Sequence, residues 1–347
     1  MVLCPFPCFK PSSEPTPPDF DPNDGTWLWV TDYGAAGDGT TDDSDAVQGC
    51  IDAAAAQGKN VYLPPGSYGC YAPYPANGMT VRGAGPSHTT VQSLYDYGDG
   101  GTGWYLANRA DVVLRGFSLA GPTTNGHMDN SQGIYMGNSH RITIQDVWLD
   151  GWCYGFRSDS GGSQVGNYDI SLIDCKTLSH NCTGYLAAVT YGLTITGCDF
   201  DSDTVDNRAD GPGPSHHFYF NNNVQDVTIS NTTFRNGVSY SWQIYDGAGN
   251  EGFTCSGLTF IDVEACMVIN PGSAISIDGM TGSSARYLEV PWFSISGSSD
   301  ITVANFELAG GTALVGTSSS TGIVFQDGTY DGPSLGGPAT FTNVSLI

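Results

Sequence analysis

The stretches "DVVLRGFSL" (111–119) and "RITIQDVWL" (141–149) share a pattern that returns down most of the chain. Each copy alternates apolar and polar residues, as a strand does, and then places one Gly, Asn or Asp before the next apolar residue. These three residue types tolerate the left-handed backbone of a sharp bend. Further copies lie at 169–177, 192–200, 226–234, 252–260, 274–280, 300–308 and 322–330, and the bends are Gly116, Asp146, Asp174, Gly197, Asn231, Gly257, Gly279, Asn305 and Asp327.

A second, shorter motif precedes most copies by about six residues. Each period therefore holds three strands, and units of this kind must stack on one another to bury an apolar face. We expect an all-β fold: a single-stranded, right-handed parallel β-helix (solenoid) of about ten coils. A β-propeller, the rival architecture, would need four strands per unit and longer periods. The short motifs are "GIYM" (133–136), "GFRS" (155–158), "GYLA" (184–187), "HFYF" (217–220), "WQIY" (242–245), "CMVI" (266–269) and "WFSI" (292–295).

The N-terminal part differs from these repeats. Residues 1–25 are rich in proline and lack periodicity, so we interpret them as a tail or anchor ahead of a β-helix domain at 26–347. One helix is predicted at about 43–57, and it would cap the first coil. Asp42 or Asp43 can serve as its N-cap, Gly58 closes it, and the apolar stripe is Ala46, Val47, Cys50, Ile51 and Ala54.

The composition limits the partners. The net charge is -24, from 30 Asp and 5 Glu against 8 Arg and 3 Lys, which argues against nucleic acid and disfavours a polyanionic substrate. No apolar run reaches membrane-spanning length, so membrane insertion is not expected. The opening "MVLCPFPCFK" does not resemble a signal peptide, because it is rich in proline and its apolar stretch is short.

The ten cysteines do not form a recognisable metal motif. Cys4 and Cys8 lack a second ligand pair, and no metal or other cofactor is predicted. Cys175 and Cys198 occupy the same inward position in successive repeats, and stacked thiols are expected there rather than a disulfide, although the spacing permits one.

The segment "DYGAAGDGTTDDSDAVQGCIDAAAAQGKNVYLPPGSY" (32–68) resembles the N-terminal part of the pectate-lyase-like superfamily of right-handed parallel β-helices. That superfamily includes polygalacturonases, other glycoside hydrolases, polysaccharide lyases and many phage tailspikes. The resemblance covers the capping region in detail and the later coils by pattern, so it implies the fold and leaves the reaction open. The chain departs from polygalacturonases, because their Asn-Thr-Asp, Asp-Asp, Gly-His-Gly and Arg-Ile-Lys set is not found on successive repeats. The basic groove of calcium-dependent pectate lyases is missing too.

One repeat is longer than the others. The bare coil takes about 22 residues, whereas the interval from Leu193 to Val227 takes 34. The surplus is the acidic stretch "CDFDSDTVDNRADGPGPSHHFYF" (198–220). The resemblance implies that loops in this position wall a groove whose floor is the first strand of each coil. A solvated loop without function is the simpler alternative, and a calcium site is conceivable although the twelve-residue loop pattern is absent.

Strand alternation predicts which side chains form that floor. One outward column would hold Tyr135, Arg157, Leu186, Tyr219, Gln243 and Val268, and its neighbour Asp159, Ala188, Asn221, Tyr245 and Asn270. Aromatic rings stack on sugars, and planar polar groups bond to hydroxyls. The predicted substrate-binding residues are Tyr135, Arg157, His216, Tyr219, Asn221, Gln243 and Tyr245.

Glycoside hydrolysis needs two carboxyl groups about 5 to 9.5 Å apart. Asp159 on the floor with Asp206 or Asp210 on the wall would supply them, and His217 would tune a carboxyl or donate a proton. Asp199 and Asp201 are a secondary pair, on the third strand.

These features favour a tailspike-like polysaccharide depolymerase that hydrolyses a polysaccharide or cell-surface glycan. A non-catalytic virion spike, adhesin or structural β-helix is the first alternative, and a secreted polysaccharide lyase is the second. The tail resembles a virion anchor that docks on another virion or surface protein. Since such spikes are commonly homotrimers, we expect a homo-oligomer, extracellular or virion-associated.

Overall fold

The protein is a parallel β-solenoid of about ten turns. The computed structural model describes residues 20–95, 101–122, 130–160, 166–178, 180–202, 216–237, 240–245, 249–263, 265–283 and 291–347. All strand pairs are parallel and join each coil to the next, in three ladders that follow one another along every complete coil. The predicted parallel β-helix with an N-terminal helical cap is confirmed.

The first ladder contains the short motifs. Its strands are Thr102–Tyr105, Gln132–Gly137, Trp152–Asp159, the first parts of His180–Thr196 and His216–Ser230, Tyr240–Tyr245, Ala265–Asn270, Phe293–Ser296 and Val315–Ser318.

The second ladder contains the last parts of the strands His180–Thr196 and His216–Ser230. It also has four strands of its own: Trp27–Trp29, Asn60–Leu63, Thr80–Gly83 and Asn167–Ile173. The third has Asp38–Asp42, Gly66–Cys70, Thr89–Ser93, Lys176–Thr177, Asp199–Asp201 and Thr233–Arg235. Seven strands bend and serve both ladders: Ala110–Ala120, His140–Asp150, Glu251–Ile261, Ser273–Ser283, Ser299–Ala309, Thr321–Asp331 and Thr340–Leu346.

The bends between the second and third ladders are where the repeat places them. All nine predicted bend residues have positive φ, from 48° at Asn231 to 75° at Gly279. A second column of left-handed residues precedes the second ladder and was not predicted. It consists of Asp111, Arg141, Asp169, Gly192, Asp226, Gly252, Ala274, Asp300 and Gly322.

The interior of the solenoid is filled by apolar side chains that stack coil on coil. Phe200, Phe234 and Phe260 follow one another in the third ladder, with ring centroids 5.9 and 4.8 Å apart. Because each side chain packs on its equivalent in the next coil, the apolar column continues through the molecule and buries faces that no single coil could cover.

The cap is the helix α1, Ser44–Gln57, preceded by a 3-10 turn at Val30–Tyr33. Four of the five predicted stripe residues are buried (Val47, Cys50, Ile51 and Ala54), and Gly58 ends the helix in the left-handed conformation. Asp43 occupies the N-cap position, but its carboxylate accepts hydrogen bonds from the backbone N–H groups of Ala36 and Gly37, at 2.6 and 3.2 Å. It therefore ties the helix start to the preceding loop.

The N-terminal tail lies outside the described residues up to position 19. From Phe20 onward the chain packs on the first coils: the Phe20 ring lies 5.0 Å from Trp27, and the Arg82 guanidinium lies 3.8 Å over its face. The end of the predicted tail is thus part of the folded structure.

Two pairs of cysteines connect neighbouring coils in different ways. The thiols of Cys175 and Cys198 are buried and free, as predicted. Cys153 and Cys182 form a disulfide across the first ladder, which the sequence analysis did not predict. Within the part of the chain that is described, no helix is long and apolar enough to cross a membrane.

Candidate functional site

The outward side chains of the first ladder form two parallel columns, which we call the floor. The register pairs Tyr135 with Arg157, Arg157 with Leu186, and Leu186 with Tyr219, and then runs on through Gln243 and Val268. In the neighbouring column Ala188, Asn221, Tyr245 and Asn270 pair in turn. Alternation places these residues outward because their neighbours, such as Phe156 and Phe218, are fully buried.

The floor has a polar cluster at its N-terminal end. Asp159 accepts a hydrogen bond from the Tyr135 hydroxyl at 2.8 Å and another from Arg157 Nε at 2.9 Å. Arg157 Nη2 lies 2.8 Å from the same carboxylate, and the two side chains are 30% and 15% exposed. The guanidinium also lies over the Tyr135 and Tyr154 rings, at 5.9 and 5.5 Å.

The local fold explains why these groups meet. Arg157 and Asp159 are two positions apart on one strand and project from the same face, while Tyr135 is the register partner of Arg157 in the preceding coil. The Asn167 amide donates to the Asp159 carbonyl at 2.9 Å and fixes the backbone there. The carboxylate is therefore held from both sides.

The electrostatics of the cluster assign a role to Tyr135. Burial, and then the hydrogen bond to the Asp159 carboxylate, raise the pKa of the Tyr135 phenol well above its usual range. The phenol therefore stays protonated near neutral pH and can donate its hydrogen bond to Asp159.

Aromatic groups continue the floor toward the C-terminus. His216 is 6% exposed, donates from Nδ1 to the Tyr240 carbonyl at 2.9 Å and stacks on Tyr219 with the planes 17° apart. Tyr219 is half-buried and Tyr245 is 39% exposed. His216 therefore supports the Tyr219 ring and offers little surface of its own.

His217 does not project from the floor, contrary to the sequence-based expectation. It is fully buried, its ring packs against His180 and Phe234, and its Nε2–H donates to the Arg235 carbonyl at 2.7 Å. Between the register pairs Thr183–His216 and Tyr185–Phe218, His217 lies opposite Gly184, where a side chain would meet Phe200 and His180. In this position His217 cannot reach a substrate on the floor.

The acidic stretch predicted to wall the groove (198–220) is only partly described. The strand Asp199–Asp201 ends the third ladder in its coil and His216–Ser230 begins the first ladder in the next, as predicted, but Asp206 and Asp210 lie outside the described residues. Asp199 and Asp201 have structural partners: Asp199 pairs with Arg235 at 2.9 Å, and Asp201 accepts from the Asn236 amide at 2.8 Å.

Two tyrosines of the floor were not predicted from the sequence. Tyr105 is 43% exposed and contacts Tyr135 at 5.5 Å; extending the column one coil toward the N-terminus would have found it. Tyr154 is two positions before the buried Phe156 on the same strand, so alternation predicts that its side chain also points into the interior. It is half-exposed because the strand pairing shifts register between Trp152 and Tyr154.

Comparison with known proteins places the fold. Residues 27–116 match the family model "Rhamnogalacturonase A/epimerase, pectate lyase-like". Over 221 residues the chain is 30% identical to mannuronan C5-epimerase AlgE6 and 27% identical to alginate lyase 7, both of Azotobacter vinelandii. It is 29% identical over 221 residues to the pre-neck appendage protein of Bacillus phage B103. These matches cover 61%, 61% and 58% of the chain and 22% of each relative, so the chain spans about a fifth of their length.

Solved structures give the same architecture. The A-module of Azotobacter vinelandii AlgE6 superposes with a TM-score of 0.62 at 16% identity, over 92% of this chain and 99% of that one. The catalytic unit of the GH87 alpha-1,3-glucanase from Streptomyces thermodiastaticus gives 0.64 at 16% identity, over 92% and 69%. At such identities the likeness concerns the fold alone. The chain is a parallel β-helix protein whose residues 27–116 match a pectate lyase-like family model.

Proposed function

We propose that the protein binds a polysaccharide along the floor and hydrolyses it at Asp159, as a tailspike-like depolymerase. The observation that carries the proposal is the hydrogen-bonded cluster of Tyr135, Arg157 and Asp159, which lies at one end of the floor, with the aromatic and amide side chains of Tyr219, Gln243, Asn221 and Tyr245 further along it. A linear column of this kind suits an extended polymer, because successive sugars can contact successive coils.

Binding would use the aromatic rings and the amides. Tyr105, Tyr219 and Tyr245 offer ring surface, and Gln243 and Asn221 offer donors and acceptors for hydroxyl groups. Since His216 already holds Tyr219, little side-chain entropy would be lost when a sugar stacks there.

Hydrolysis would use Asp159 as one of its two carboxyl groups. Its orientation is fixed by the Tyr135 hydroxyl and the Arg157 guanidinium, so its position relative to the sugar would be reproducible. The second carboxyl group would be Asp206 or Asp210 on the wall, across the scissile bond.

Elimination is a second candidate, favoured by Arg157 and by the names of two relatives. Arg157 could pair with the carboxylate of a uronate, which would stabilise the charge that forms when the adjacent C–H bond breaks. The proton would pass to a base, and the bond to the leaving sugar oxygen would break as a C=C bond forms. The relatives named alginate lyase and mannuronan epimerase support a uronate substrate, whereas the net charge of -24 disfavours an acidic polymer.

One relative supports a virion setting. The pre-neck appendage protein belongs to a phage, and a spike that binds or cuts surface glycans would fit such a setting. A binding-only spike remains the outcome if no polysaccharide is cleaved.

The test is incubation with a panel of neutral and uronate-containing polysaccharides, with new reducing ends and unsaturated-uronate absorbance measured separately. Hydrolysis gives reducing ends alone, and elimination gives both. Asp159→Asn should lower turnover by about 100-fold or more. The protein should stay folded at the assay temperature, because the amide oxygen can still accept the hydrogen bond from the Tyr135 hydroxyl.

The matched control is Asp278→Asn, which also replaces a hydrogen-bonded aspartate, but on the second ladder, away from the floor. It should keep full turnover. Full cleavage by the Asp159→Asn variant would place the reaction elsewhere, and no cleavage of any polymer by the unmutated protein would favour binding alone.

A further inference from the structure

A second aromatic platform lies on the second ladder, on a different side of the coil from the floor. Tyr168 and Tyr191 are register partners in adjacent coils, with ring centroids 5.0 Å apart and planes only 16° apart. The Asn223 amide donates to the Tyr191 hydroxyl, and Asn223 in turn accepts from Gln225 Nε2 at 2.8 Å. The Tyr168 ring is thus supported from beneath by a chain of held side chains.

Tyr168 also lines an open cavity of about 490 Å³. Its lining comes from the coil of Tyr168 and from the preceding coil, and Tyr191 is not part of it. Tyr168 is 43% exposed. Cavities of roughly 300 to 1,000 Å³ are of the size that takes a small ligand. The lining residues are Asn138, His140, Arg141, Gly166, Tyr168 and Asp169.

The charges around the cavity select against an acidic ligand. The Arg141 guanidinium is already paired with Asp111, at 2.5 and 2.7 Å, and Asp169 adds a further carboxylate to the lining. Carboxylate, amide and guanidinium groups beside an aromatic face can share the hydroxyls of a neutral sugar while its C–H face covers the ring.

We infer that this cavity is a second carbohydrate site, which binds a neutral sugar unit of a polysaccharide on Tyr168. The inference rests on the proposed function in that the ligand is a polysaccharide, but its residues are all distinct from those of the floor. A chain held at both sites would stay on the protein between cleavage events, because the second contact is made at a high effective concentration.

The test is affinity electrophoresis of the full chain in gels that contain dextran, a mixed-linkage β-glucan, galactomannan or alginate. It is run in an Arg157→Ala background, which weakens the floor. We expect at least one neutral polymer still to retard Arg157→Ala, and Tyr168→Ala in that background to raise its Kd about fivefold to tenfold. Asp169→Asn, which keeps a residue that tolerates the left-handed backbone, should weaken binding in the same direction.

Tyr33→Ala is the matched control, because Tyr33 is similarly exposed (38%) and lies in the 3-10 turn near the cap. It should leave the Kd within twofold, and equal melting temperatures would show that all variants fold. The inference is overturned if Arg157→Ala alone abolishes retardation by every neutral polymer, if Tyr168→Ala changes nothing, or if only alginate responds to Tyr168→Ala. If Arg157→Ala binds as the unmutated protein does and Tyr168→Ala abolishes binding, the floor proposal fails and the second site stands.

Discussion

His217 is a neutral histidine inside an aromatic core, and its environment makes stability depend on pH. Burial lowers the pKa of His217 to about 4 from its ordinary 6.5. Between these two values the unfolded chain binds a proton that the folded protein does not, so the free energy of unfolding falls as the pH drops from about 6.5 toward 4. The full difference corresponds to about 3 kcal/mol, present above pH 6.5.

We therefore expect the melting temperature to fall less for His217→Phe than for the unmutated protein when the pH is lowered from about 7.5 to about 5. Phenylalanine suits the site because the histidine ring packs among aromatic side chains. His88→Gln, at an exposed position, serves as the control and should keep the unmutated profile. Equal losses in the His217 variant and the unmutated protein would assign the pH dependence to other groups.

For single residues, strand alternation predicted correctly which side chains form the floor, but it gave the wrong orientation for two residues near the starts of strands. Arg157, Tyr219 and Gln243 lie in mid-strand, where side chains alternate strictly, and their column follows from the sequence. His217 and Tyr154 lie near strand starts. The first is buried in a position that glycine fills in the preceding coil, and the second is exposed by a register shift. Neither the packing against an adjacent coil nor a register shift can be inferred from the alternation of apolar and polar residues.

At the level of secondary-structure elements, the bend between the second and third ladders allows a direct test, because substitutions there should change the free energy of unfolding. Asn231 has φ 48°, a conformation that costs an ordinary L-residue roughly 1 to 2 kcal/mol. We expect Asn231→Gly to melt within a degree or two of the unmutated protein. Asn231→Val should unfold with about 1 to 2 kcal/mol less free energy, because a β-branched side chain tolerates this backbone poorly. Equal denaturant midpoints for the two variants would contradict this account.

The two columns of bends show what sequence can and cannot predict about the coil. The first column uses only Gly, Asn and Asp, so its composition reveals it. The second includes Arg141 and Ala274, which have no preference for left-handed backbone, and it escaped prediction. There the stacked coils on either side impose the conformation on whatever residue is present.

The whole molecule carries a charge of -24, which bears on assembly. We propose that the protein forms a trimer and that its tail docks on another protein. Light scattering near physiological salt should then give about three times the chain mass of 36.5 kDa. Association should weaken at low salt, because like-charged copies repel with less screening.

Deletion of residues 1–19 tests the tail separately and keeps the Phe20 contacts with the first coils. The truncated chain should remain trimeric and lose its partner. A monomer at physiological salt, or partner binding that survives the deletion, would contradict the proposal.

The architecture of the molecule was predictable because one repeat encodes it many times, so errors in single positions do not matter. The reaction was not, because the same fold serves hydrolysis, elimination and binding alone. The acidic stretch shows the same limit. Its place between Asp201 and His216 follows from the repeat length, but no periodicity constrains the loop residues Asp206 and Asp210.

The parallel stacking also determines the order in which the coils can form during synthesis. Each described strand pairs with the coils just before and just after it, so these pairings form between parts of the chain that are made one after the other. During synthesis the helix α1 and the first coil leave the ribosome before the later coils and offer an open edge. Every later coil then emerges next to the surface that receives it, and the protein can assemble at the pace of translation, from its capped end onward.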